Sequence, residues 1–218
     1  MAQVQHFSSS IHTLGDLLRR LGDVPLDRIR FHPRPGTATV QDVLDLQQQQ
    51  GVLCELIEGV LLEKALGFNE SALAGFLLGL LNAFVIPRNL GLVTGPDGTM
   101  ELMAALVRIP DVAFTNWDRL PGRRRPTSPV PRLAPNLAVE VLSRSNTPGE
   151  MAAKREDYFP AGVELVWEID PAARTVKVYT STTAMTTLGE ADTLDGGPVL
   201  SGFTLSVRDL FAELDRQG

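Results

Sequence analysis

The run Asn136-Leu-Ala-Val-Glu-Val-Leu-Ser143 constrains the fold more than any other part of the chain. Apolar residues fill both alternating sets of positions, so a strand here has to be buried on both faces of a sheet. Shortly after it, Thr147-Pro-Gly-Glu150 has the form of a capping box with proline at the first helical position, and the helix it starts runs to about Phe159. A further apolar strand follows at Glu164–Ile169. Strand, helix and strand in this order predict a crossover on a mixed sheet of an α/β protein, with the 136–143 strand central and helices on the flanks. Glu140 is the exception within that strand. A carboxylate removed from water needs a cation, a proton or hydrogen-bond donors to offset its lost hydration.

A second acid has a similar setting. Val107-Arg-Ile-Pro-Asp-Val-Ala-Phe114, read as one short strand, places Asp111 directly after a proline. Two such carboxylates on neighbouring strands point to a site for a hard divalent cation such as magnesium, which takes one or two carboxylates and completes its shell with water. The backbone carbonyl of Val141 would offer a third oxygen. A lysine beside the attacking water would normally stand two residues after Glu140, on the same face of the strand, but Leu142 occupies that slot. Lys154, about two turns into the following helix, has a stem long enough to reach back. The plainer alternatives are a backbone hydrogen bond for Asp111, an arginine partner such as Arg108 for Glu140, and a solvated Lys154.

The rest of the chain supplies the frame. Leucines at helical spacing over residues 11–21 precede Pro25, Pro33, Pro35 and Gly36, so residues 1–38 read as a peripheral helical appendage and linker. Thr39 is placed to cap a helix that fades at Gln47–Gln50, and Val52–Lys64 reads as a hairpin turning on Glu58-Gly59. Asn69–Val85 is apolar nearly all round, which predicts a helix buried against the sheet. Short strands are expected at 90–94, 101–103, 175–180, 184–188 and 204–207, and a last helix at 207–214. Residues 121–135 hold five prolines and the triplet Arg123, Arg124, Arg125, an irregular loop of a length that often carries function.

A net charge of −6 argues against nonspecific attraction of the whole surface to nucleic acid. Residues 119–155, however, carry eight cations against Glu140 and Glu150, so 8 − 2 = +6 is concentrated there. Arg123, Arg124, Arg125 and Arg144 are the candidates for phosphate contact, the alternative being a solvated face. The start of the chain lacks a basic segment followed by an apolar one, and no uninterrupted apolar run has the length of a membrane span, so a soluble cytoplasmic protein with no membrane partner is expected. Cys54 reads as a small core residue. The three histidines, His6, His12 and His32, lie in the N-terminal piece, which leaves Ser143 and Ser145 without a triad and excludes a histidine-rich metal site. Trp117 and Trp167 read as packing residues.

Taken in order, Glu55-Leu-Ile-Glu-Gly59, Arg108-Ile-Pro-Asp-Val112, Pro135–Ser143, Lys154 with Tyr158, and Gly162–Pro171 resemble the Uma-two family of restriction endonucleases, a branch of the PD-(D/E)XK nuclease superfamily. The resemblance covers about residues 40–212. It implies a restriction-endonuclease-like domain over 39–218 with extra C-terminal strands, a magnesium or manganese cofactor, and DNA as substrate. It carries over Asp111 and Glu140 as the two acids and supports Lys154 as a displaced lysine. It also places Glu55 in an early Glu-Leu-Ile motif, where it either faces the site or forms a structural salt bridge. Many members have a histidine early in the long helix. Here Asn69, Glu70 and Ser71 stand in that area, and Glu70 is the candidate for a further metal-side carboxylate. A homodimer would supply two sites for two DNA strands and cover apolar surface on the long helix. The competing expectation is a nuclease-like fold that binds nucleic acid or a partner with little or no cleavage.

Overall fold

The computed structural model describes residues 11–65 and 67–217. His6 and the expectations placed on Met1–Ser10 lie outside them. The elements run α1 (Leu14–Arg20), α2 (Val40–Gln50), β1 (Cys54–Ile57), β2 (Val60–Glu63), α3 (Phe68–Val85), β3 (Gly91–Thr94), β4 (Met100–Met103), β5 (Leu106–Arg108), β6 (Val112–Asn116) and β7 (Leu137–Val141). They continue with α4 (Pro148–Ala161), β8 (Leu165–Asp170), β9 (Thr175–Tyr179), β10 (Met185–Leu188), β11 (Thr193–Gly196), β12 (Leu200–Ser206) and α5 (Val207–Ala212).

Six strands form the main sheet in the order β10-β9-β8-β7-β6-β3. The β7–β8 pair is parallel and its neighbours pair antiparallel, which requires a crossover, and α4 provides it. All five residues of β7 are buried. Alternation along β7 and β8 sorts the two faces. Leu137, Val139, Val141, Leu165, Trp167 and Ile169 pack with α3, α5 and the β11–β12 hairpin, while Ala138, Val166 and the small Ala113 of β6 lie on the other side with Tyr158 of α4. Glu140 belongs to this second set by position. Small residues at 113 and 138 let α4 approach the sheet, so a long side chain from α4 can meet Glu140.

The expected single strand over 107–114 is two strands in two sheets. β5 belongs to a four-stranded sheet of order β2-β1-β5-β4, and β6 to the main sheet. Pro110 has no N–H for a ladder, so the chain changes sheets there. Asp111 N–H then donates to Val139 O at 2.9 Å and starts the pairing with β7. The proline thus places Asp111 at the seam, next to the end of β7.

Residues 11–38 are not peripheral. Leu17, Leu21 and Val24 are buried in the same cluster as Tyr158 and Val163. Gly22 (φ 80°) presses on Gly149, where an added Cβ would lie 2.2 Å from the backbone, and the Thr147 hydroxyl donates to Gly22 O. The capping box at α4 is half made: Thr147 accepts from Glu150 N–H, but the Glu150 carboxylate turns instead to Arg28. The N-terminal segment is therefore clamped onto the first turn of the crossover helix.

The long helix α3 is buried on one face only, through Leu73, Ala74, Leu77, Leu81 and Val85, while Phe68, Ala72, Gly75, Gly79 and Ala83 are exposed. By length and composition alone it would pass for a membrane span. Here it is the helix that covers one face of the main sheet.

Candidate active site

Glu140 stands near the C-terminal end of β7, and α4 brings two donors to it. Lys154 Nζ donates to Glu140 Oε2 at 2.8 Å, and the Tyr158 hydroxyl to Oε1 at 2.5 Å. They come from one turn of α4, four residues apart, and so share a helix face. Burial and the Glu140 charge push Tyr158 well above the usual phenol range, so it donates as a neutral hydroxyl. Burial alone would weaken the hold of Lys154 on its proton, but Glu140, Glu55 and Glu150 outweigh it and keep Lys154 a charged ammonium. Glu140 itself is pushed up, first by burial and then by Asp111 and Glu55, and Lys154 and Lys64 offset this only in part.

Asp111 converges on the same place from the β5–β6 seam. Its Oδ2 accepts from Val141 N–H at 2.7 Å, and its Oδ1 is 2.9 Å from Lys64 Nζ. Lys64, just past β2, also donates to Ile109 O. Behind these groups lies Glu55, on β1. It accepts from Arg108 at 2.6 Å and from Ile109 N–H at 3.2 Å, and it lies 3.4 Å from Lys154. Burial pushes Glu55 up, but Lys154, Arg108 and Lys64 together hold it down at about 2. Arg108 turns its remaining N–H groups to Asp157 of α4. Arg28 closes one side by a bidentate pair with Glu150 at 2.8 and 3.0 Å.

Glu55, Lys64, Asp111, Glu140 and Lys154 line one enclosed cavity of about 10 Å³, the space of a single water-sized sphere. Its neighbour is an open groove of about 540 Å³, and Asp111, Val141 and Ala65 line both. Glu140 is thus buried, whereas Asp111 is half-buried and borders the open groove. A second groove of about 670 Å³, sharing Glu70 and Ser143 with the first, continues past Arg144 to Arg155 and Lys177.

Residues 40–208 match the Uma2 family, described as "Putative restriction endonuclease". The chain belongs to the Uma2 family. A solved structure described as a "putative nuclease belonging to DUF820" from Anabaena variabilis superposes with a TM-score of 0.66 at 22% identity, over 74% of this chain and 91% of that one. The likeness shows a shared fold, the restriction-endonuclease-like arrangement of a mixed sheet between helices. No curated protein matches the chain.

Within this Uma2 fold the residues singled out from sequence fall into two groups. Asp111, Glu140, Lys154 and Glu55 meet at one cavity, with Val141 on its wall. Arg108 pairs with Glu55 and Asp157 rather than with Glu140. Glu70, in the first turn of α3, lines the open grooves and not the acid cavity. Arg144 lies on the site side, in the larger groove. Arg123, Arg124 and Arg125 do not. β6 and β7 are antiparallel, so the loop joining them leaves from the end opposite Asp111 and Glu140, and Arg123 is paired there with Asp118. Trp167 is fully buried in the core, whereas Trp117 reaches out to Asn89.

Lys64, Arg28 and Asp157 were not legible as site residues from local patterns. One signal was available for Lys64: of the 20 cations only Lys64, Lys154 and Lys177 are lysines, and two of these three meet at the acids.

The donor set fits a hard divalent cation. Asp111 and Glu140 offer only oxygens, each carboxylate oxygen keeps a second lone pair beyond the bond it accepts, and the cavity between them adjoins the groove. Among the described residues no group of three or more acid, histidine or cysteine side chains forms a ligand cage.

Proposed function

We propose that the protein is a metal-dependent endonuclease that hydrolyses phosphodiester bonds in DNA. The observation that carries this reading is the meeting of Asp111, Glu140 and Lys154, from two strands and the crossover helix, at one buried cavity beside an open groove. Asp111 and Glu140 would hold the magnesium or manganese ion. When bound, such an ion polarises the phosphate and lowers the pKa of a coordinated water. Tyr158 and Lys154 fix the Glu140 carboxylate by a bond to each oxygen. Lys154, kept charged by three glutamates, acts as a cation that orients the attacking water and opposes negative charge on the phosphate, not as a base. Arg144 and Lys177, both on the larger groove, would meet backbone phosphates there.

The test is cleavage of plasmid DNA with magnesium or manganese by the wild type, Glu140→Gln and Lys154→Ala. Wild type should nick or cut, and each variant should lose about 100-fold or more in rate. Equal behaviour of all three, together with no divalent-metal binding, would sink the reading. One observation favours the second reading, a nucleic-acid-binding protein with weak or no cleavage: every carboxylate oxygen of Asp111 and Glu140 is already engaged by a protein donor. DNA retention without metal-dependent cleavage is the outcome that would select it.

A further inference from the structure

We propose that Lys64 is a resident counter-cation that the divalent metal displaces from Asp111, so that loading the site is an exchange of one cation for another. This rests on the metal reading above. Asp111 is the acid that borders the open groove, and its two oxygens are held differently. Oδ2 is fixed by the Val141 backbone N–H, part of the sheet, whereas Oδ1 is held by the side chain of Lys64 at 2.9 Å. An ion on Oδ1 would sit about 2.1 Å from that oxygen. It would then lie no more than about 5 Å from the Lys64 ammonium, inside the range at which buried like charges repel strongly.

The charge count gives the same answer. Glu55, Asp111, Glu140 and Asp157 face Lys64, Lys154 and Arg108, four against three, so the cluster has one surplus negative charge while Lys64 stays and two, the charge of a divalent ion, once it leaves. Lys154 is not the residue to leave. It is held between two acids, Glu140 and Glu55, from a helix packed on the sheet, whereas Lys64 has one acid, Asp111, and the Ile109 carbonyl. Arg108 is fixed on two acids deep in the protein. Lys64 stands one residue beyond the end of β2, and its chain neighbour Ala65 already lines the open groove. Rotation of its flexible stem carries the ammonium from Asp111 toward that groove, where the substrate phosphate would arrive.

Two measurements on the intact protein test this, neither reading activity. In the first, Mn²⁺ binding to the wild type, Lys64→Met and Asp111→Asn is titrated by electron paramagnetic resonance. Lys64→Met should bind at least about tenfold more tightly than the wild type, because the competing cation is gone. Equal or weaker binding by a folded Lys64→Met, with Asp111-dependent binding in the wild type, overturns the exchange and leaves the metal site standing. Absence of binding in the wild type removes the metal reading and this inference with it. The second measurement needs no variant. Reductive methylation read by mass spectrometry should label Lys64 several-fold faster once Mn²⁺ is bound, with Lys154 unchanged. Unchanged or slower labelling of Lys64 with metal bound overturns the proposal.

Discussion

Glu55 and Glu140 are the same residue type, both buried, and both within reach of the single ammonium of Lys154, yet their surroundings drive their proton affinities in opposite directions. Glu55 has Arg108 and a backbone N–H besides Lys154, and is held down at about 2. Glu140 has a direct bond from one cation, Lys154, and from a neutral phenol, with Lys64 acting without a direct bond and Asp111 and Glu55 close by, and is pushed up. The difference separates two jobs. Glu55 is a locked counter-ion that holds Arg108 and Lys154 in place. Glu140 is under-compensated, the condition in which a carboxylate gains most from a further cation.

The largest effect should come from breaking the locked side. Arg108→Met strips Glu55 and Asp157 of their shared cation while leaving both in the interior. Removing one partner from a buried ion cluster costs about 3–5 kcal/mol. The loss should appear as a much lower urea midpoint with an unchanged slope, and a change below about 1 kcal/mol would mean that Glu55 is not locked by Arg108.

Next in size is the acid leg of stability. The carboxyl of Glu55 falls from its usual 4.5 to about 2 in the folded protein, so the unfolded chain binds more protons between these values and stability rises with pH through that window. This contribution is fully present above about pH 4.5 and is lost as pH falls toward 2. At about 1.4 kcal/mol per pH unit it is worth about 3 kcal/mol. Glu55→Gln should flatten this leg in unfolding experiments between pH 2 and 5, and an unaltered leg would place the acid sensitivity elsewhere.

How much of this was readable in the sequence follows from the distances over which each feature is determined. The doubly apolar 136–143 run, the α4 start at Thr147-Pro148 and the β7–α4–β8 crossover are local patterns, and they placed Glu140 against Lys154. Asp111 was found for a related reason, since the proline that precedes it is also what breaks the strand. The break itself, and the second sheet it leads to, depend on which partner β5 finds, and no local pattern holds that. Arg28 reaches Glu150 across 122 positions and Arg108 reaches Asp157 across 49, so neither pairing has a signature in spacing. The position of the arginine triplet is likewise not local, since the antiparallel β6–β7 pair sends that loop to the end of the sheet opposite Asp111 and Glu140.

The smallest change in stability should come from Glu140→Gln, and its smallness is the informative part. Gln keeps the shape and has one acceptor oxygen for Lys154 while its amide N–H donates to the Tyr158 hydroxyl oxygen, and it removes a charge whose lost hydration is only partly offset. Because burial raises the folded carboxyl above the unfolded one, the native state binds the extra proton, and the charged form of Glu140 costs stability once pH passes about 4.5. Against this stands the uncompensated positive charge left on Lys154, which Glu55 can still meet at 3.4 Å. The two opposing effects should leave metal-free Glu140→Gln within about 1 kcal/mol of the wild type at neutral pH, measured by urea unfolding in the presence of a chelator. Glu55→Gln under the same conditions should lose several times more. If the two variants were equally destabilised, the two glutamates would be doing the same structural job, and the under-compensation that supports the proposal of Glu140 as a ligand would be gone.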